Sequence, residues 1–227
     1  MANRRLLVKR RKAVRNIRKI TRTMQLIATA RFQAAFNRAV ASRPYTEKLA
    51  ELVADLSRGH QSGAGIDHPL MKSRNPEAPV ALAVVTSMRG LCGGYNANVL
   101  RTSQAKLEEL RSAGRPTELR VFGKKGIAYF RYLKEAMADQ NVSVGDSPRF
   151  EQVERVVNGL IGLFLAGKVS EVHVAYMRFY SAGRQRPEVV QLLPLVQAQT
   201  PGTEKARSVD YEFRPDAETL LAELLPA

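Results

Sequence analysis

Residues with intrinsic reactivity are few in this chain of 227 residues: one cysteine, Cys92, and three histidines, His60, His68 and His173. Cys92 lies in the run Arg89-Gly90-Leu91-Cys92-Gly93-Gly94-Tyr95-Asn96, ahead of a helical stretch. A helix N-terminus lowers a thiol pKa, so a nucleophilic thiolate is one chemistry open to it. Nothing in the spacing aims an imidazole base at it, because His60 and His68 fall in a loop stretch and His173 in a strand. A small packed thiol is the preferred reading. The same four residues lack the paired spacing of a zinc site, so no metal is expected. Glu108/Glu109 and Glu151/Glu154 read as parts of solvated helix faces and make no acid–base pair. No catalytic residue and no cofactor is expected.

The glycines offer a second chemistry. Gly90 to Gly94 follows an apolar strand and opens a helix, which is where phosphates bind in α/β sheets. The spacing fits neither G-x-G-x-x-G nor the P-loop, and no Lys-Ser/Thr pair follows the last glycine. A structural turn that needs positive φ or close packing fits better.

The elements around that turn are legible from periodicity. Pro79-Val80-Ala81-Leu82-Ala83-Val84-Val85 is a continuous apolar run, as expected of a strand buried on both faces of a parallel sheet. Residues 97–113 read as a helix with Val99, Leu100, Leu107 and Leu110 inward. A strand is expected over 118–123, a helix over 126–137 and another over 151–166. Two more strands, 172–180 and 189–196, flank a polar turn at Gly183-Arg184-Gln185-Arg186. This order predicts an α/β, Rossmann-like domain with a mostly parallel sheet over 79–198. Residues 59–78 read as a linker loop, and 199–227 as a loop followed by a helix start at Pro215.

The remaining stretch dominates the charge. The chain carries 36 Lys and Arg against 21 Asp and Glu, a formal net charge of +15, which implies an acidic partner. Thirteen of the cations precede the first acid, Glu47. Residues 1–58 read as one long coiled-coil helix: they contain no glycine, and their only proline is Pro44, where a bend is expected. Ile17, Ile20, Met24 and Ile27 recur in steps of three, four and three, as in a coiled-coil seam. Ala28, Ala30, Ala34, Ala35 and Ala39 favour helix and close backbone approach. Leu49, Leu52, Val53 and Leu56 continue an apolar face. Three readings follow: a solvated face, a nucleic-acid-binding helix, or a coiled-coil arm within an acidic protein sleeve. Only Phe32 and Phe36 are there to stack on bases, and the heptad steps favour the sleeve. No apolar run is long enough to span a bilayer, and no secretory signal is evident.

Two stretches together resemble a known family. Arg18-Lys19-Ile20-Thr21-Arg22-Thr23-Met24-Gln25-Leu26-Ile27-Ala28 resembles the Lys-Ile-Thr-Lys-Ala-Met-x-Met-Val-Ala signature of the gamma subunit of F-type ATP synthases. Ser87-Met88-Arg89-Gly90-Leu91-Cys92-Gly93-Gly94-Tyr95-Asn96 resembles that family's Ser-Asp-Arg-Gly-Leu-Cys-Gly-Gly-x-Asn motif, with Met88 where Asp is usual. Arg43-Pro44-Tyr45, Arg178-Phe179-Tyr180-Ser181 and Gln191-Leu192-Leu193-Pro194-Leu195 match in order. The resemblance implies a non-catalytic central-stalk shaft that couples c-ring rotation to the beta subunits, where ATP is made. Its implied partners are the alpha and beta subunits of the catalytic ring, the epsilon subunit and the c-ring, with no nucleic acid. Its implied location is peripheral, on the cytoplasmic face of the bacterial inner membrane. Arg10, Arg11, Arg15, Lys19, Arg22 and Arg31 are implied to face acidic loops of the ring. Ile17, Ile20, Met24 and Ile27 would pack on a second helix or an apolar bearing, Met24 near a beta-subunit coupling loop. Arg89, Gly90, Cys92, Gly93, Gly94 and Asn96 would form a structural turn. The family's second shaft helix is long, and residues 215–227 resemble only its start.

Overall fold

A computed structural model of the chain describes residues 4–59, 69–73, 75–145 and 147–195. The chain divides into two compact units, Met1–Asp55 and Leu56–Ala227. The first unit is built on α1, Arg4–Gly59, an uninterrupted helix of 56 residues that runs through Pro44. Side chains beyond Lys48 in this helix, including the expected apolar face at Leu49, Leu52, Val53 and Leu56, lie outside the described residues. So do His60, His68 and the stretch 196–227.

The second unit contains β1 (Val80–Val85), α2 (Tyr95–Ser112), β2 (Thr117–Phe122), α3 (Lys124–Tyr132), β3 (Asp139–Asn141), α4 (Phe150–Leu165), β4 (Glu171–Ser181) and β5 (Arg184–Leu193). The five strands pair in the order β3-β2-β1-β4-β5. Every pairing is parallel except β4 with β5. The expected α/β class with a long N-terminal helix and a mostly parallel sheet is therefore observed. Because successive strand residues point to opposite faces, the strand β1 feeds two cores. Leu82 and Val84 join Val99, Leu107, Val121, Ile127 and Phe130 beneath α2 and α3. Ala81 joins Leu160, Phe164, Val169 and Val172 beneath α4. This double burial is why the sequence of β1 is apolar throughout.

Two boundaries and one missed strand depart most from expectation, each for a backbone reason. Helix α3 stops at Tyr132 instead of Met137. Lys134 adopts φ 57°, and the amide of Glu135 donates to the Phe130 carbonyl (3.0 Å), a left-handed helix stop usually made by glycine. The chain then returns through Ala138, whose amide donates to Leu119 (2.8 Å), and enters β3, which pattern reading missed. Strand β5 starts at Arg184, not Val189. Arg184, Gln185 and Arg186 pair with Ser181, Phe179 and Arg178, which leaves a two-residue turn at Ala182-Gly183. Along α4, Leu160 and Phe164 are buried, whereas Val153 is exposed.

The two ends of the sheet are tied differently. At the N-terminal ends of the parallel strands, Arg115 donates to Glu171 (2.6 Å), and His173 Nε2 lies 2.8 Å from the same carboxylate. Arg115 also donates to Ser170 (3.1 Å). At the C-terminal ends, Thr86 donates to the Phe122 carbonyl (2.9 Å) and accepts the Gly126 amide (2.9 Å), locking β1 to the β2–α3 junction. Gly123 makes this possible. At φ 101°, a Cβ there would lie 2.2 Å from the Thr86 carbonyl oxygen.

Two measurements test these ties. Replacing Gly123 by Ala combines strain at positive φ with a backbone clash and should cost roughly 2–4 kcal/mol in urea unfolding. Burial pushes the Glu171 carboxyl up, but the hydrogen bonds from His173 and Arg115 outweigh it, so its pKa lies below the ordinary value. A depressed carboxylate stabilises the fold above its unfolded pKa, and that contribution is lost as pH falls through the folded value. Glu171→Gln should therefore flatten the loss of stability below about pH 4.5 relative to the parent chain, read from urea melts across acid pH.

Candidate functional site

Two regions carry the singled-out residues: the turn between β1 and α2, and the face of α1. In the turn, Asn96 is the organiser. Its Oδ1 accepts the Ser87 backbone amide (3.0 Å), and its Nδ2 donates to Ser87 Oγ (2.9 Å) and Cys92 Sγ (3.1 Å). Ser87 Oγ also donates to the Arg89 carbonyl. Positive φ is taken by Gly93 at 59° and, unexpectedly, by Leu91 at 62°, while Gly90 and Gly94 do not need it. Leu91 is 92% exposed.

Cys92 is exposed, which corrects the packed-thiol reading. The turn lifts it beyond the end of the sheet instead of folding it under α2. His173 is buried in register with Leu82, whereas Cys92 lies past Val85, where β1 ends, so the two are not brought together. The phenol of Tyr95 is raised above its ordinary pKa, chiefly by burial and also by the neighbouring Cys92. Glu108, Glu109, Glu151 and Glu154 are all exposed. An apolar cleft of about 190 Å³ lies between α4 and β5, lined only by aliphatic side chains such as Leu70, Leu160, Ile161 and Leu192. It has no group with which to do chemistry.

On α1 the apolar seam is bare: Ile17, Ile20, Met24 and Ile27 are all exposed. At 3.6 residues per turn they share one side of the helix, and Arg11, Arg15, Arg18, Lys19 and Arg22 lie on the opposite side. Arg10 and Arg31 fall on the seam's side, so the expected basic contacts divide between two faces. Hydroxyls along α1 turn inward onto their own backbone, Thr23 to the Lys19 carbonyl (3.1 Å) and Thr29 to that of Gln25 (2.9 Å). Arg22 donates to Gln25 (3.0 Å), an internal tie that sequence reading did not find. Phe32 and Phe36 stack on each other, with centroids 5.9 Å apart, instead of standing apart to receive bases.

Comparison with known proteins decides the family. A family model described as ATP synthase matches residues 3–227. The ATP synthase gamma chain of Rhodopirellula baltica is 36% identical over 232 residues, covering 100% of this chain and 77% of the relative. That of Frankia casuarinae is 37% identical over 223 residues, covering 96% and 74%. The chain belongs to the ATP synthase gamma-chain family. The fold agrees: the rotor of the Euglena gracilis mitochondrial ATP synthase matches with a TM-score of 0.57 at 16% identity, covering 85% of this chain and 63% of that one. The central stalk of the Tetrahymena thermophila enzyme matches at 0.56 and 18% identity, covering 91% and 86%. A gamma chain is a central-stalk subunit of the complex and not its catalytic subunit. No helix among the described residues is long and apolar enough to cross a membrane.

Asn96 holds the geometry of the turn through its hydrogen bonds to Ser87 and Cys92. Asn96→Ala leaves the Ser87 amide without its acceptor and should cost about 1–2 kcal/mol in chemical unfolding. Asn96→Asp keeps that acceptor and should recover most of the loss.

Proposed function

We propose that this chain is the rotor shaft of a proton-translocating F-type ATP synthase, coupling c-ring rotation to conformational change at the catalytic beta subunits. The observation that carries this reading is α1. It combines a bare apolar seam with thirteen cations and no internal acid before Glu47. Such a helix needs an apolar partner along one side and negative charge around the other. In this reading residues 1–58 form half of an axle, 59–78 a linker and 79–198 the α/β body, and 199–227 begin the second axle helix.

Ile17, Ile20, Met24 and Ile27 pack on that helix or on an apolar bearing. Arg10, Arg11, Arg15, Lys19, Arg22 and Arg31 meet acidic loops of the alpha and beta ring. The turn from Arg89 to Asn96 is structural. The body adjoins the epsilon subunit and the c-ring, which holds the protein peripherally at the cytoplasmic face of a bacterial inner membrane. A shaft shifts the state of a catalytic site only through contacts that differ between states, so an asymmetric cross-section is what it must supply.

Co-purification from native cells is the first test: alpha and beta subunits should accompany the chain. Recovery as a stable free monomer, or tight and steeply salt-dependent binding to duplex DNA, would overturn the reading. Ile20→Glu with Met24→Glu should lower recovery of the assembled complex about tenfold or more while leaving the α/β body folded. Neutralising Arg11, Arg15, Lys19 and Arg22 to Gln should reduce coupled ATP synthesis about fivefold or more, with the body's urea midpoint unchanged.

A further inference from the structure

The β4–β5 hairpin runs past the end of β1, whose pairing with β4 stops at Ala175. One face of this overhang gathers Arg178, Tyr180, Arg184, Arg186 and Glu188. Arg178 and Arg186 are direct cross-strand partners. Like charges in that position destabilise a sheet, so the hairpin gains nothing from them by itself. The cluster is nevertheless ordered. The Tyr180 ring carries the Arg178 guanidinium at 5.4 Å and that of Arg184 at 5.2 Å from its centroid. Glu188 accepts from the Tyr180 hydroxyl and from Arg178 (3.2 Å), and its carboxyl titrates below the ordinary range mainly because of the Tyr180 bond. Three exposed guanidinium groups thus gather around one carboxylate, bonded by Arg178, and one ring, which carries Arg178 and Arg184.

We propose that this hairpin face docks an acidic protein segment, a helix presenting carboxylates three or four residues apart, contributed by another chain of the complex. The inference rests on the stalk reading only for the source of that chain. Spacing selects the occupant. Arg184 and Arg186 are two strand residues apart, about 7 Å, and Arg178 sits about 5 Å across from Arg186. Carboxylates at i and i+3 or i+4 of a helix are about 5–6 Å apart, within reach of both, and guanidinium forks bind them bidentately. A nucleic-acid footprint neutralises about 6–10 phosphates, and lipid-binding clusters use about 4–8 cations, more than this face holds. Tyr180 holds the forks of Arg178 and Arg184 before the partner arrives, which reduces the ordering entropy of docking.

The test places a photoreactive benzoylphenylalanine at Ala182, in the exposed turn of the full chain expressed in its native cells. After irradiation, adducts are mapped by mass spectrometry. The expected adduct lies in another polypeptide at a segment with carboxylates at i, i+3 or i, i+4 spacing. Its yield should fall with added salt and drop about fivefold or more in R178Q/R184Q/R186Q. The lysine triple variant, which keeps charge but loses the fork, should give an intermediate yield and serves where the glutamine variant fails to fold. Adducts on lipid, on nucleic acid or on segments without paired carboxylates overturn the proposal, as does a yield indifferent to the substitutions. The same preparation separates the two readings. Recovery with alpha and beta subunits but no hairpin adduct defeats the docking alone, and recovery as a lone chain without adduct defeats both.

Discussion

Everything distinctive about this chain depends on the unbalanced charge of α1. A helix of 56 residues is about 84 Å long, and its first turn contains no acid to meet the positive end of its dipole. Cations at i, i+4, such as Arg11–Arg15, Arg15–Lys19 and Arg18–Arg22, each oppose the helix by about 0.2–0.5 kcal/mol. The alanines from Ala28 to Ala39 offset part of this through propensity, but propensity is the smaller lever in a helix of this kind. What such a helix lacks is an apolar partner for the seam and negative charge for the opposite side. Neither lies in the sequence of α1 before Glu47. The sequence of α1 thus leaves an apolar stripe and a basic face without complements of their own, which is what the shaft proposal would answer.

The α/β unit solves the opposite problem. Its central strand is buried on both faces, so register is strongly fixed and its ends make firm platforms. The N-terminal ends are closed by the Arg115–Glu171–His173 network, where one carboxylate serves two basic groups. The C-terminal ends are closed by Thr86 against Gly123 and Gly126, and by Asn96 across the turn that holds Cys92. In an α/β enzyme those C-terminal ends would hold a ligand. Here Ser87 and Asn96 spend their hydrogen-bonding capacity on each other and on the turn. The turn is fixed in shape by its own contacts.

Legibility followed from which forces set each element. Strand β1, the inward face of α2 and the span of α1 are set by burial or propensity, and these leave periodic traces in sequence. Strand β3, with the sequence Asp-Gln-Asn, is set by backbone pairing to β2 and leaves none. The end of α3 depends on a lysine in a conformation that glycine usually takes. The start of β5 is polar because it overhangs the sheet, and a polar run reads as a turn when strand pairing alone sustains it. That the glycines mark a turn was legible, but its backbone geometry was not: Leu91 occupies a left-handed position, and Cys92 is exposed. The roles of the α1 residues came from the resemblance. Helical geometry then divided them, Arg10 and Arg31 on the side of the seam and Arg11, Arg15, Lys19 and Arg22 on the other.

On the shaft proposal, that division decides what α1 would present to its surroundings. A rod with uniform charge all round would interact equally with its sleeve at every angle and could bias no site over another. From Arg11 to Ile27 the seam and the main basic face lie on opposite sides of α1, whereas Lys9, Arg10, Arg31 and Arg38 fall on the seam's side. Pairing along the seam leaves the Arg11–Arg22 face turned outward on one side only. In the proposed shaft the cross-section would then be electrostatically lopsided, and its interaction with a negatively lined sleeve would vary with rotation. Asymmetry of this kind needs no reactive group. It follows from where a 3.6-residue repeat places a short list of cations.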